Sequence, residues 1–256
     1  MTTFLGYFDV LGFKEIVLNN SLDELNKIFS NLLRDTQTAV SGENYIQPQP
    51  GVMVADLTKQ KVHCLHISDS VLFWTNGENE ADFIELAKVC YTFYWRSLQL
   101  FVPLRGCMVH GEIEFRPFQI KSESGAVFHN SSLYGKGLID AYLKAESIDF
   151  AGCFVDQTAL AKVDEKVIYN LIYDQMLCYY KVPFKGGKFS YEHVFRPIKG
   201  NHNEVSFRNS AKDIKSLFSY HSKMKDFPES VQIKLNNTID FIEHFRETDS
   251  NLKRPE

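Results

Sequence analysis

This sequence is first informative for the features that it lacks. No stretch approaches the roughly 20 consecutive apolar residues that a membrane-spanning helix needs, and we find no internal repeat and no low-complexity tract. The formal net charge is −4 at pH 7, which gives no general attraction to nucleic acid or to an anionic membrane. We therefore predict neither nucleic acid nor a membrane as a partner of this chain.

Cysteine is scarce as well. The chain has five cysteines, an odd number, with no Cys-x-x-Cys spacing, and most of them lie in apolar runs. This usage predicts buried free thiols in a reducing compartment. The first apolar stretch is short and is interrupted by Asp9, which is unlike a secretory signal peptide. We therefore expect a cytoplasmic protein.

What the sequence does contain is a regular succession of strand and helix patterns. Its 256 residues suffice for one large domain or for one domain with an appendage. In chain order the patterns are β-α-β-β-α-β followed by a further α-β unit, which is the order of the ferredoxin-like split βαβ fold. We predict an α+β fold, an α/β sandwich with a central antiparallel sheet and helices packed on it. The first long helix is expected to begin with a capping box at Ser21 and Glu24.

The character of the chain changes after about residue 165. The segment "LCYYKVPFKGGKFSYEHVFRPI" has a β-pattern around a Gly-Gly turn, and helix patterns follow at 210–227 and from Pro228 onward. Proline is favoured in the first turn of a helix. We therefore divide the chain into a main domain, 1–164, and a C-terminal β and helical extension, 165–256, packed on it.

Two acids stand at the ends of predicted strands. Asp9 ends the apolar run "FLGYFDV", and Asp69 lies in a turn between "KVHCLHI" and "SVLFWT". In the predicted topology these strands are neighbours, so the two carboxylates meet at one edge of the sheet. Carboxylates brought together repel unless a cation neutralises them, and Mg²⁺ prefers oxygen ligands. The alternatives are that Asp9 caps a helix and that Asp69 only favours a turn.

Gly12 stands directly behind Asp9, where a helix pattern begins. Free N–H groups at a helix start bind phosphate, and glycine lets the backbone come close to it. Two divalent cations about 3.5–4 Å apart form the clamp used for in-line displacement at phosphorus. The combination predicts a phosphate-bearing substrate held with metal ions.

Four blocks of the sequence, "FLGYFDVLGFKEIV", "HISDSVLFW", "LRGCMVHGEI" and "YGKGLIDAYLKAES", occur in this order. Their order and spacing resemble the class III nucleotidyl cyclases. That family has F-x-D-I-x-G-F, a Gly-Asp or Ser-Asp hairpin, R-x-G-I-x-x-G, and a helix of the form G-x-x-V-N-x-A-x-R-L-E. The resemblance covers roughly residues 4 to 155. The residues of the third and fourth blocks are most similar to those of the bacterial anti-phage pyrimidine cyclases of the Pycsar system (PycC).

The resemblance implies a ferredoxin-like cyclase catalytic domain over 1–164 and a mechanism for it. Asp9, Asp69 and the backbone carbonyl of Val10 would hold Mg²⁺ or Mn²⁺, two ions in each active site. The ribose 3′-hydroxyl would attack the α-phosphorus in line, and pyrophosphate would leave. Positioning and charge stabilisation would do most of the work, with little need for a side-chain base.

The resemblance also implies a homodimer with active sites at its interface. In the family, the short helix of one protomer supplies an Asn and an Arg to its partner, and the matching positions here are Asp140 and Lys144. Asp140 can accept a hydrogen bond from ribose, whereas Lys144 offers a point charge without the fork of arginine. The alternative is a solvated i,i+4 ion pair on a helix surface. Tyr134 and Lys136 are further candidates for contacts with phosphate or ribose.

One position, Leu65, indicates which nucleotide base the substrate carries. Purine cyclases of the family carry a polar residue four positions before the hairpin Asp, where this chain has Leu65, which cannot read a purine by hydrogen bonding. Arg96 matches an arginine that narrows the pocket for a pyrimidine, with a snorkelling surface arginine as the alternative. Arg105 is a candidate for contacting the nucleotide or for fixing the metal loop. The first block adds Phe8, Leu11, Gly12 and Phe13 as expected substrate contacts.

These expectations describe a phosphorus–oxygen lyase. We expect conversion of UTP to 3′,5′-cyclic UMP and pyrophosphate, with the product signalling to a separate cyclic-nucleotide effector protein in anti-phage defence. The alternatives are CTP as the substrate and a purine cyclase of the same fold. An alternative of another class is a degenerate module that only binds nucleotide or mediates dimerisation.

Overall fold

The structure, a computed structural model, describes residues 1–49, 52–198, 218 and 228–251. This part of the chain forms eleven strands and seven helices, with a short 3-10 helix at Leu57–Lys59. The strands are β1 Thr2–Val10, β2 Tyr45–Gln49, β3 Val52–Ala55, β4 His63–Ile67, β5 Ser70–Trp74, β6 Leu104–Glu112, β7 Glu114–Lys121, β8 Val127–Tyr134, β9 Cys153–Val155, β10 Leu177–Phe184 and β11 Lys188–Phe195. The helices are α1 Phe13–Asn19, α2 Leu22–Val40, α3 Glu80–Gln99, α4 Lys136–Ser147, α5 Gln157–Leu160, α6 Glu165–Tyr173 and α7 Glu229–Asn251.

The first strand lies inside a seven-stranded sheet of order β10-β11-β9-β6-β1-β5-β4. Neighbouring strands are antiparallel except β6 and β9, which run parallel. Helices cover both faces: Phe8 of β1 contacts Phe93 of α3 on one side, and Tyr7 contacts Tyr142 of α4 on the other. Burial on two faces explains why β1 reads as a nearly continuous apolar run. The predicted α+β sandwich with a mainly antiparallel sheet is confirmed.

Two hairpins stand outside this sheet. β2 pairs with β3 in a short hairpin between α2 and β4. β7 pairs with β8 in an arm that the sequence analysis did not predict. Large apolar side chains of this arm remain in solvent, with Phe118 and Phe128 51% and 63% exposed. An alternating pattern arises when one face of a strand is buried, and here neither face is consistently covered.

The C-terminal hairpin continues the same sheet. β10 and β11 flank the predicted Gly-Gly turn, and β11 pairs with β9. The helix expected after Pro228 is present as α7, which packs Phe241 against Phe150 and Tyr180. The helix predicted at 210–227 lies outside the described residues, apart from Phe218. The division of the chain at residue 164 stays a prediction.

α4 lies very close to β6. A Cβ atom on Gly111 would lie 2.6 Å from the Cα atom of Gly137. Glycine at both positions is what permits this approach. Ala141 and Ala145 continue the buried stripe of α4 beneath. The contact fixes α4 over β1 and β6, and so determines which of its side chains reach the end of β1.

The five cysteines are all free, as the sequence predicts. Three of them are buried in the core, and the other two are partly buried. Burial raises the pKa of the Cys64 thiol to about 12 and that of Cys90 even higher. A protonated thiol is neither a nucleophile nor a metal ligand, so Cys64 and Cys90 are packing residues.

Candidate active site

The end of β1 and the tip of the β4–β5 hairpin meet. Asp9 is paired with Ser70 in the β1–β5 register, so Asp69, one residue earlier, lies beside the end of β1. The backbone N–H of Val10 donates a hydrogen bond of 3.0 Å to the backbone carbonyl of Asp69. Ser68 adopts a left-handed conformation, with φ 56°, as tight hairpin turns require. The structure therefore brings together the two acids that the sequence analysis singled out.

The charge on Asp9 is disfavoured in this setting. Its side chain is only 12% exposed. Burial first, and the neighbouring Asp69 carboxylate second, raise the pKa of Asp9 from 3.8 to about 6, against an opposing effect of Arg105. Carboxylates that share a site disfavour each other's ionisation. A cation bound between them would relieve an interaction that the fold otherwise maintains.

The oxygen donors at this point suit a hard divalent cation. Asp9, Asp69 and the backbone of Val10 offer carboxylate and carbonyl oxygens, which are the ligands that Mg²⁺ and Mn²⁺ prefer. Within the described residues, no three His, Cys, Asp or Glu side chains gather around one point. Mg²⁺ commonly uses one or two carboxylates and completes its shell with water and substrate phosphate. A site with two carboxylates fits this mode of coordination.

Arg105 of β6 is the cationic group that the protein itself places on Asp9. Its Nε atom donates a hydrogen bond of 2.9 Å to Asp9 Oδ2, and its Nη2 atom lies 2.7 Å from the same oxygen. Nη2 also contacts Glu146 of α4, and Glu146 accepts a hydrogen bond of 3.0 Å from Lys185. Burial opposes the charge of Arg105, but Asp9 and Glu146 together raise its pKa. Burial likewise opposes ionisation of Glu146, yet Lys185 and Arg105 lower its pKa.

An apolar cleft of about 370 Å³ opens beside Asp69. Tyr7, Leu72 and Leu65 are cross-strand neighbours, and so form one row on the face of the sheet that carries the cleft. The hydroxyls of Tyr7 and Ser70 lie 2.9 Å apart at its floor. Leu65 continues this row beyond Leu72. Its side chain has no group that could form a hydrogen bond with a nucleotide base. The wall is completed by Ile67, Leu133, Leu138, Ile139 and Tyr142.

One flank of α4 faces this site. The ring of Tyr142 contacts the ring of Tyr7 with centroids 5.8 Å apart, and Glu146, one turn later, contacts Arg105. Both contacts follow from the close approach of the two glycines, which sets the rotation of α4. The family-like helix motif therefore contributes its last residue, Glu146, to the surroundings of Asp9 in the same chain.

Asp140 and Lys144 lie on the other flank of α4. Successive helix residues are separated by about 100°, which turns positions 140 and 144 away from the flank of Glu146. Asp140 is exposed, and the Nζ atom of Lys144 lies 2.7 Å from Asp156. Neither side chain faces Asp9 of its own chain, and the predicted role of both in a partner's site stays a prediction. Tyr134 and Lys136, at the start of α4, are exposed and stay candidates.

Arg96 lies in the layer on the opposite face of the sheet. Its Nε atom donates a hydrogen bond of 3.0 Å to Asp35 of α2, whose side chain is 1% exposed. Its guanidinium also lies 5.5 Å from the ring centroid of Trp95. The geometry gives Arg96 the task of joining α2 to α3, and its predicted contact with a pyrimidine stays a prediction.

The remaining residues of the first block have mixed surroundings. Phe8 packs in the core against Phe93, on the face of β1 away from Asp9. The backbone N–H of Leu11 donates to Pro103, and Gly12 turns the chain into α1 with a φ of 70°. Phe13 contacts Phe29 of α2. Their backbone is therefore close to Asp9, whereas the Phe8 side chain belongs to the core, and their substrate contacts stay predictions.

Two residues near the site were missed by the sequence analysis. Glu146 ends the family-like helix motif, so its position was a signal that could have identified it. Lys185 lies in the C-terminal hairpin, outside every matching block, and no sequence pattern connects it to Asp9. Only the pairing of the hairpin with the end of α4 reveals it.

None of the helices in the described ranges is long and apolar enough to cross a bilayer. No protein-family model matches the sequence, and no curated protein matches it. Among solved structures, the chain is similar to the adenylyl cyclase CyaB from P. aeruginosa, with 11% identity and a TM-score of 0.47 over 80% of this chain and 98% of that one.

The chain is also similar to the catalytic core of a rhodopsin-guanylyl cyclase with converted specificity in complex with ATPαS. The identity is 14% and the TM-score is 0.45, over 76% of this chain and 95% of that one. Adenylate cyclases from Trypanosoma brucei in their monomeric state are similar at 6% identity and a TM-score of 0.46, over 77% of this chain and 88% of theirs. At such values, function has to be argued from the residues of the chain itself.

Proposed function

We propose that this chain is a nucleotidyl cyclase of the class III type that converts UTP to 3′,5′-cyclic UMP and pyrophosphate. The observation that carries the proposal is the meeting of Asp9 and Asp69, which are far apart in the chain, at the end of two central strands. Burial, and after it the neighbouring Asp69, raise the pKa of Asp9 in spite of Arg105, so the charged form of this carboxyl group is disfavoured. Perturbed pKa values of this kind cluster at functional sites.

Asp9, Asp69 and the carbonyl of Val10 are the groups that would hold Mg²⁺ or Mn²⁺, two ions in each active site. Such ions, when bound, lower the pKa of a coordinated hydroxyl and stabilise charge on a triphosphate. The protein aligns its own ligands: the Val10–Asp69 hydrogen bond fixes the hairpin tip, and Arg105 orients the Asp9 carboxylate. The ribose 3′-oxygen then forms its bond to the α-phosphorus as the bond to the pyrophosphate oxygen breaks, and its proton passes to water.

The apolar cleft beside Asp69 is the argument for a substrate with a pyrimidine base. Tyr7 and Leu72 line the cleft, and Leu65 is the cross-strand neighbour of Leu72. Leu65 offers no hydrogen-bond donor or acceptor at the position where a purine enzyme of the family has a polar residue. CTP, with cyclic CMP as its product, is the alternative within the same pocket. By the same resemblance we propose that the product acts on a separate effector protein in anti-phage defence.

We further propose that the enzyme works as a homodimer in the cytoplasm. The outer face of α4 leaves Ile139 and Leu143 each 56% exposed, and Asp140 lies beside them. Exposed apolar side chains that cluster on one helix face commonly mark an interface. In the dimer, Asp140 and Lys144 would serve the partner's site, and Lys144 would exchange Asp156 for the substrate.

A nucleotide-binding or dimerisation module without catalysis is the second candidate, and a specific observation favours it. Lys144 stands where the family has an arginine, and it is already paired with Asp156 at 2.7 Å. A cation committed to a carboxylate of its own chain is less available to a transition state.

The test is product analysis by mass spectrometry after incubation of the full chain with each of the four NTPs and Mn²⁺. We expect cyclic UMP and an equal amount of pyrophosphate from UTP, and neither product from the D69N variant. Cyclic CMP as the main product would change the base assignment, and a cyclic purine nucleotide would contradict the pyrimidine pocket. Binding of an NTP without any product would favour the second candidate.

A further inference from the structure

Four alternating charges connect the C-terminal hairpin to the end of β1. Nζ of Lys185 lies 3.0 Å from Oε2 of Glu146, and the other oxygen of Glu146 contacts Nη2 of Arg105. Arg105 in turn contacts Asp9 with Nε and Nη2, at 2.9 and 2.7 Å. The order is therefore positive, negative, positive, negative, and each inner group is shared between two neighbours.

The backbone holds the first of these charges in place. The N–H of Lys185 donates a hydrogen bond of 2.8 Å to the carbonyl of Ser147, the last residue of α4. The N–H of Asp149 donates one of 2.9 Å to Pro183, and Ile148 forms a β-bridge with Phe184. The hairpin is thus fastened to the end of the helix that carries Glu146. A cation at a helix C-terminus is also favoured by the helix dipole.

Burial decreases along the chain of charges from Asp9 to Lys185. The side chains of Arg105 and Asp9 are each 12% exposed, whereas those of Glu146 and Lys185 are 36% and 46% exposed. Buried pairs are screened little by salt, and exposed pairs are screened strongly. A change at Glu146 should therefore reach Asp9 with more effect than a change at Lys185.

We propose that Glu146 is a positioning residue that draws Arg105 partly away from Asp9 and so keeps Asp9 available to a divalent cation, and that Lys185 moderates this pull from the C-terminal hairpin. The inference rests on the proposed function, since it concerns the same cation site. It gives Lys185, which lies beyond the family-like blocks, an influence on that site.

The alternation of signs gives the inference a distinctive signature. Without the charge of Glu146, Arg105 interacts with Asp9 alone and competes with the metal ion for this carboxylate, so metal binding weakens. Without the charge of Lys185, Glu146 holds Arg105 more strongly, so Asp9 is freer and binding tightens. A hairpin that merely supports α4 would weaken binding in both variants, because both would loosen the helix.

The first experiment measures the Mn²⁺ affinity of the full chain by electron paramagnetic resonance of the free ion. We expect E146Q to weaken binding about three- to tenfold and K185Q to tighten it about twofold at low salt. K188Q removes the same charge from the other end of the same turn, and E123Q removes an exposed acid from the β7–β8 turn. Both controls should change the affinity less than their counterparts do.

The outcomes separate this inference from the proposed function. Absence of Mn²⁺ binding in the wild-type chain, or binding that survives in D69N, contradicts the proposed function. Binding that is lost in D69N but unchanged in E146Q, or weakened equally by E146Q and K185Q, overturns the inference alone.

A second measurement needs no metal. The side-chain Nε resonance of Arg105, assigned by its loss in R105K, reports the hydrogen bond to Asp9. We expect it to shift in E146Q and K185Q and not in K188Q. If the Arg105 resonance shifts in neither E146Q nor K185Q, the inference is overturned, whatever the Mn²⁺ titration shows.

Discussion

Arg105 contacts a single carboxylate oxygen of Asp9 with two of its nitrogens, Nε at 2.9 Å and Nη2 at 2.7 Å. Asp9 therefore lies between Arg105, which is the cation that the protein supplies, and the metal ion that the site is proposed to bind. Arg105 fixes the orientation of Asp9 through Oδ2, so this carboxylate needs little rearrangement on binding a metal ion, and the charge of Arg105 is shared with Glu146. Preorganisation of this kind is how a site reduces the cost of binding and of reaction.

Asp9 and Asp69 should be indispensable for cyclisation. We expect Asp9→Asn and Asp69→Asn each to lower turnover of UTP by about a thousandfold or more, on the scale of losing a group that stabilises charge in the transition state. The measurement is the initial rate of pyrophosphate release with Mn²⁺. Asp174→Asn, at an exposed site after α6, is the matched control and should retain full activity. A wild-type rate in either variant would remove the substituted acid from the mechanism.

The raised pKa of Asp9 predicts how stability depends on pH. Since the folded state binds this proton more tightly than the unfolded chain, protonated Asp9 favours folding below about pH 4, and the benefit is lost as the pH rises through about 6. The amide that replaces this carboxyl group in D9N cannot titrate. We therefore expect D9N to melt about 3–6 °C above the wild type at pH 8, and near it at pH 4.5.

The same melting experiment, done in EDTA, has an internal check. Addition of excess Mn²⁺ at pH 8 should raise the melting temperature of the wild type and leave that of D9N unchanged, because a ligand stabilises only the state that binds it. A D9N protein that melts below the wild type at pH 8 would show that ionised Asp9 stabilises the fold.

A dimer with shared sites predicts complementation. Asp9→Asn and Asp140→Ala should each be inactive alone. Mixed and allowed to exchange subunits, they should recover about a quarter of wild-type activity, since half of the dimers are mixed and each mixed dimer has one intact site. Two D9N preparations mixed in the same way are the control. Activity of D140A by itself would remove this residue from the partner's site.

The approach of α4 to β6 predicts a severe effect of one methyl group. Gly111→Ala would place a Cβ atom 2.6 Å from Gly137, so strand and helix must separate. We expect a loss of about 3 kcal/mol in the free energy of unfolding, measured by urea denaturation. Gly186→Ala, with a φ of 78° and open space around it, should lose only about 1 kcal/mol, from its backbone conformation. Equal losses would show that the close contact is not what restricts Gly111.

Local features of the fold could be read without the structure. The capping box of Ser21 and Glu24 is present at the start of α2 as the sequence predicts, and so are the Ser68–Asp69 turn and the hairpin around the Gly-Gly turn. Each depends on residues close together in the chain. The β7–β8 arm was missed because its exposed apolar side chains do not produce the alternation by which strands are recognised.

The sequence by itself determined the order of the central strands and the helices between them, and with it the meeting of Asp9 and Asp69, because neighbouring strands in an antiparallel sheet bring fixed positions together. Only the tertiary structure decided what surrounds them. The rotation of α4, set where two glycines touch, turns Glu146 toward Arg105 and Asp140 away from it. The docking of the last hairpin adds Lys185. Such contacts depend on side chains that are distant in the chain and on the packing of one element against another, which no local pattern records.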